Sequence, residues 1–186
     1  MIILELLLTV LDTAGPVFLS KKEFTQAIQD NLVPSLLENS LSTEKAVFSL
    51  SFGIVGILVS NFRENLKTEI AVFMENILIR ILESTNSNFS HRVYCLRVFR
   101  KIFTLPRAVI ELFVNYDCFM NQTCILEHLV VLLAKISQGK YLKQEYVNLI
   151  TSDQATELSA LTISSVSELM KGLSAFVFEC DKLEEK

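Results

Sequence analysis

The chain has 186 residues, enough for one sizeable domain or a short array of stacked repeats. Half of it (51%) is hydrophobic and 20% is charged, which excludes intrinsic disorder, and a net charge of −4 lacks the basic footprint of a general nucleic-acid binder. The 5 Gly, 3 Pro and absent Trp predict few turns and long elements, and Cys95, Cys118, Cys124 and Cys180, scattered without repeated spacing, read as reduced cytosolic thiols rather than a disulfide framework.

Apolar residues recur at three- and four-residue steps nearly throughout, so helices are expected along the whole chain. The opening MIILELLLTVLD has no basic leader region and is interrupted by Glu5, so it reads as a core helix over about residues 2–13, not a signal peptide. Gly15-Pro16 stops it. Ser20 is the predicted N-cap of the next helix, with Glu23 completing a capping box. That helix carries Phe24, Ala27, Ile28 and Leu32, kinks at Pro34 and reaches Leu37. In the connector NSLSTEK, Ser42 or Thr43 caps a helix through Val47, Leu50, Ile54, Ile57 and Leu58, apolar nearly all round and therefore central. The uncharged run between Lys45 and Arg63 falls short of the ~20 residues a membrane span needs, so a buried helix of a soluble protein is expected.

A helix over about 66–83 presents Ile70, Phe73, Ile77, Leu78 and Ile81 inward. STNSNFS breaks it, and Ser90 is the predicted cap of a helix from His91 to Phe103. Pro106 suits the first turn of a short segment reaching Val114. A long helix after Asn121 ends at Gly139, a polar connector covers 140–153, and a last helix over about 154–178 runs into a charged tail. Seven or eight helices joined by short connectors, with no glycine-rich linker, predict one all-α domain over 1–186. Its expected form is an α-solenoid of antiparallel helix pairs, HEAT- or armadillo-like, with a compact bundle as the alternative.

No catalytic residue, cofactor site or metal site is expected. Cys124 and His128 stand four apart on one helix, with Cys118 and Asp117 nearby, but the paired ligands of a structural zinc site are absent. A Cys–His nucleophile lacks a family signature, the glycines are isolated, and Glu184 and Glu185 belong to a solvated terminal run. A basic group does stand out: Arg92, Arg97, Arg100, Lys101 and Arg107. Arg97, Arg100 and Lys101 share one helix face. Opposite Val93, Leu96, Phe99 and Phe103 this is a solvated face, or a contact for an acidic partner or an anionic membrane surface. In VNYDC, Asn115 fits a helix end in left-handed geometry, and Asp117 or Asn121 can cap the following helix. Tyr116, an aromatic on a short connector, needs a pocket or a partner.

VNYDC (Val114 to Cys118), then Asn121 and ILEHLVVLLAKISQG, resembles the conserved box of the large Arf guanine-nucleotide exchange factors. That box lies in their homology region upstream of the catalytic Sec-seven domain, known as HUS. LELLLTVLDTAGPVF (Leu4 to Phe18) and VSNFRENLKTEIAVFMENILIRILES (Val59 to Ser84) resemble the same region in the same order, so the likeness covers about the first 140 residues. Phe119 stands where an acidic or amide residue more often follows the Cys. The resemblance implies a regulatory helical module and not the exchange enzyme itself. Its implied partners are an upstream dimerisation domain, other domains of the parent, and Arf-family or related small GTPases. Its implied setting is the cytoplasmic surface of Golgi membranes, through the parent protein. A related Mon-two-type scaffold, which lacks exchange activity, shares the same homology. Asn115, Tyr116, Asp117 and Cys118 are then expected to form a structural box that presents Tyr116 to a neighbouring domain.

Overall fold

Every apolar stripe at 3.6-residue spacing folds as a helix. The computed structural model describes residues 1–84, 87–118, 124–139 and 150–184, with side chains described as far as residue 178. Helix accounts for 84% of the described residues and no strand occurs among them, an all-α, repeat-like fold. Nine helices are seen there: α1 (Ile2–Asp12), α2 (Pro16–Ser20), α3 (22–39), α4 (Lys45–Asn61), α5 (67–83), α6 (Phe89–Phe103), α7 (106–117), α8 (Ile125–Ser137) and α9 (Ser152–Glu184). The five-residue α2 is the element the sequence reading lacked.

Three of the helices contain a wide π turn: Ile28–Leu32 in α3, Met74–Ile79 in α5 and Phe113–Asp117 in α7. In α3 the π turn precedes Pro34, where a proline ring would otherwise clash with the turn below. The helix therefore passes through Pro34 and ends at Asn39.

Helix starts differ from expectation at several points. Ser20 is not a cap: it ends α2 and its Oγ donates to the Val17 carbonyl at 3.2 Å. Pro16, at the first position of α2, starts a new turn as well as stopping the old one. Lys21, in extended backbone, is the N-cap of α3. Ser42 Oγ accepts from the Glu44 N–H at 3.2 Å, yet α4 begins at Lys45 with Glu44 as its N-cap. Asn88, not Ser90, caps α6, its Oδ1 accepting from the His91 N–H at 2.8 Å. An amide and a hydroxyl are both competent acceptors, and the one three residues before the free N–H wins. At α9, Thr151 and Gln154 form a reciprocal capping box: the Thr151 N–H donates to Gln154 Oε1 (3.0 Å) and the Gln154 N–H to Thr151 Oγ1 (3.3 Å). Gly139, with φ +67°, closes α8, which is the left-handed position glycine fills best.

By packing, the chain forms two compact units, Met1–Leu78 and Ile79–Lys186. In the first, α4 is the centre, burying Phe48, Phe52, Ile54, Val55 and Leu58. Helix α1 packs on α4, where Gly53 leaves room: a Cβ there would lie 3.2 Å from Leu8 Cδ1. The expected core helix α1 is core on one side only, since Leu11 is buried while Ile2, Ile3, Leu6 and Val10 are exposed.

In the second unit α9 packs against α6, α7 and α8. Its Leu158, Thr162, Ser165, Leu169 and Gly172 recur at three- and four-residue steps and form the buried stripe. A Cβ on Gly172 would meet the Phe103 carbonyl oxygen at 3.0 Å and Pro106 Cα at 3.7 Å, so glycine lets α9 approach the α6–α7 corner. Among the described residues the Ser152–Phe178 segment of α9 is the one helix long and apolar enough to cross a membrane, by length and composition.

Candidate functional site

Helix α7 starts at Pro106, whose missing N–H is no loss at a first turn, and runs α-helically to Leu112. It then widens into the Phe113–Asp117 π turn, closed by the Cys118 N–H donating to the Phe113 carbonyl at 3.1 Å. Beyond this turn the Asp117 carboxylate reaches the start of α8. Oδ2 accepts from the Leu126 N–H (3.0 Å) and Oδ1 from the Glu127 N–H (2.9 Å). Cys124, the N-cap by position, makes no capping bond, and a thiol is a weak acceptor in any case. Asp117 therefore caps α8 from nine residues upstream, satisfying two orphan donors and placing negative charge at the positive end of the dipole.

The rest of the box differs from the sequence reading. Asn115 is not left-handed, because among the described residues no non-glycine has positive φ; it lies inside the π turn. Tyr116 is only 7% exposed, so its ring is held in the core of its own unit and not presented outward. Position 116 stands four residues after buried Leu112 and seven after buried Val109, so it lies on the inward side of α7 because the helix continues to Asp117 instead of ending at Val114. Cys118 is exposed and Asn115 half-buried. Phe119 and Asn121 lie outside the described residues, as do 140–149 of the polar connector and Glu185; so do the side chains of Cys180 and Glu184.

The Cys124 thiol is pushed up, first by local desolvation and then by the Glu127 and Asp117 carboxylates, which disfavours the reactive thiolate. Burial pushes Cys95 well above its ordinary value. His128, four residues from Cys124, turns to Glu83, with Nε2 to Oε1 at 2.7 Å. Among the described residues no three His, Cys, Asp or Glu side chains converge as a metal site.

The basic group divides. Arg92 is 4% exposed and its Nη2 donates to the Ser84 carbonyl at 2.6 Å, tying the start of α6 to the end of α5. It is not a surface residue, because its position faces the same side of α6 as Cys95, Leu96 and Phe99. Arg97, Arg100, Lys101 and Arg107 are exposed and make no ion pair among the described residues. The Arg97 guanidinium lies 5.8 Å from the centre of the Tyr94 ring, within cation–π range.

Residues 1–125, which include the α7 π turn, match the family described as Mon2/Sec7/BIG1-like, HUS domain. Brefeldin A-inhibited guanine nucleotide-exchange protein 1 of Rattus norvegicus is 36% identical over 174 residues, covering 94% of this chain and 9% of that protein. The protein of the same name from Homo sapiens is 35% identical over the same shares. Brefeldin A-inhibited guanine nucleotide-exchange protein 3 of Arabidopsis thaliana is 40% identical over 137 residues, 73% of this chain and 8% of that protein. The chain thus spans less than a tenth of the length of these relatives, and it belongs to the Mon2/Sec7/BIG1-like family of HUS domains.

Proposed function

We propose that residues 1–186 act as one non-catalytic regulatory module of a large Arf guanine-nucleotide exchange factor. The module packs against an upstream dimerisation domain of its parent and helps to control recruitment to the cytoplasmic face of Golgi membranes and activation of Arf GTPases in vesicle traffic. The observation that carries this reading is the family match over residues 1–125, joined to exchange-protein relatives of which the chain covers 9%. Such coverage suits a domain serving a larger protein. In this reading Asp117 and buried Tyr116 set the α7–α8 junction, and the exposed Cys118 and half-buried Asn115 beside them meet the neighbouring domain.

Two measurements test it. Release of labelled nucleotide from purified Arf proteins should proceed at its intrinsic rate with or without the chain; acceleration would place it in a different functional class. Calorimetric titration against the parent's upstream domain should show binding, weakened in both Asp117→Ala and Tyr116→Ala. Unchanged affinity in both variants would reduce the box to a structural junction.

A further inference from the structure

We infer that the outer face of α6 and α7 docks on an anionic membrane surface, held by Arg97, Arg100, Lys101 and Arg107 and seated by Phe113 and Val114. This deepens the recruitment part of the reading above and rests on it, while its support comes from charge and exposure.

The first support is segregation of charge. The chain carries −4 overall, yet no Asp or Glu occurs between Glu83 and Glu111. Arg97, Arg100, Lys101 and Thr104 follow one another at steps of three, one and three, which keeps them on one side of α6, and all four are exposed. Arg107 adds a fifth exposed position in the first turn of α7, and half-buried Glu111 is the one carboxylate on these helices ahead of Asp117. Helices α6 and α7 both pack against α9, so their exposed positions turn away from it. Four cations without ion pairs among the described residues keep their full attraction for an outside anion, and three are Arg, whose planar fork suits phosphate oxygens.

The second support chooses between anions. An acidic protein segment would satisfy the cations and leave Phe113 and Val114 without a role. Both are 49% exposed, on the π turn that ends α7, and Val114 follows Arg107 by seven residues, about two turns along the helix. Cations beside exposed apolar side chains match the headgroup layer, where phosphates meet the cations and the apolar groups reach the acyl boundary. The net charge of −4 opposes approach at long range. Screening limits that repulsion to about 8 Å at physiological salt, and within this distance the local stripe decides.

Co-sedimentation of the 186-residue chain with vesicles of phosphatidylcholine, alone or mixed with phosphatidylserine, tests the proposal. The chain should pellet with the phosphatidylserine vesicles only, and less so as salt rises. The combined variant Arg97→Glu, Arg100→Glu, Lys101→Glu should bind more than about 100-fold more weakly, at roughly fivefold for each cation removed, with its melting temperature preserved. Phe113→Ser should weaken binding without changing the salt dependence. Equal binding to neutral vesicles, or anionic binding that survives charge reversal, would overturn the proposal. So would indifference to anionic vesicles combined with charge-dependent binding to polyglutamate, which would assign the face to an acidic protein. Affinity for the upstream domain is read separately, so a failure here leaves the interaction reading standing, and the reverse also holds.

Discussion

At the scale of single residues, Asp117 carries the clearest structural role. Its carboxylate takes two N–H groups at the start of α8, where Cys124 makes no capping bond. Asp117→Ala should lower stability by about 1–2 kcal/mol, while Asp117→Asn should retain part of the cap; urea denaturation of the two variants measures the difference. That Asp117 is a cap was legible in VNYDC, because Asp before an apolar run is a standard acceptor. The burial of Tyr116 turns on where α7 ends: with the segment expected to stop at Val114 the tyrosine reads as a connector residue, whereas the helix runs on to Asp117 and carries it onto the side of Val109 and Leu112. His91 supplies a second test. Burial lowers its proton affinity below the ordinary 6.5, so the unfolded chain binds the proton more readily than the folded one. Stability present above pH 6.5 should therefore be lost as pH falls from there through the folded value. His91→Asn should show a shallower decline in melting temperature over that window.

At the scale of elements, the helical glycines Gly53 and Gly172 make opposite predictions. In a helix interior Ala ordinarily exceeds Gly by about 1 kcal/mol. At Gly172 the new Cβ would press at 3.0 Å on the Phe103 carbonyl, which is backbone and cannot easily move. Gly172→Ala should therefore forfeit that gain, and Gly172→Leu should destabilise by about 1–3 kcal/mol or more, by overpacking the α6–α7 corner. At Gly53 the neighbour is the end of the flexible Leu8 side chain, so Gly53→Ala should keep most of the gain. Thermal melts of the three variants decide. Element starts were the least legible feature, for a consistent reason. Two nearby residues, Ser20 and Lys21 or Asn88 and Ser90, can each supply a plausible boundary, and the backbone geometry of the first turn selects one, as the Asn88 Oδ1 to His91 N–H bond does for α6. The Thr151–Gln154 capping box was readable in principle: its T-x-x-Q spacing stands directly before the last helix.

At the scale of the whole molecule, cysteine accessibility offers a check on the second unit. Cys118 and Cys124 are exposed and Cys95 is fully buried on α6. In a Cys180→Ser background, which removes the fourth thiol, a thiol reagent should titrate two groups in the folded chain. The third should react only on unfolding, at a rate set by opening of the unit. A third thiol that reacts promptly would show that α6 is not held in the core as described.

The sequence by itself determined that the chain is all-α, where the main helices lie, which family it belongs to, and that Asp117 stands at a capping position. Each follows from local periodicity, from side-chain chemistry next to a helix end, or from the order of matching blocks. Only the tertiary structure decided that Arg92 finds the Ser84 carbonyl as its partner and that α1 buries just one face. It also decided that Asp117 reaches its donors across nine residues of chain. These outcomes depend on what a neighbouring helix offers to each side, and a pattern within one helix carries no information about its neighbour.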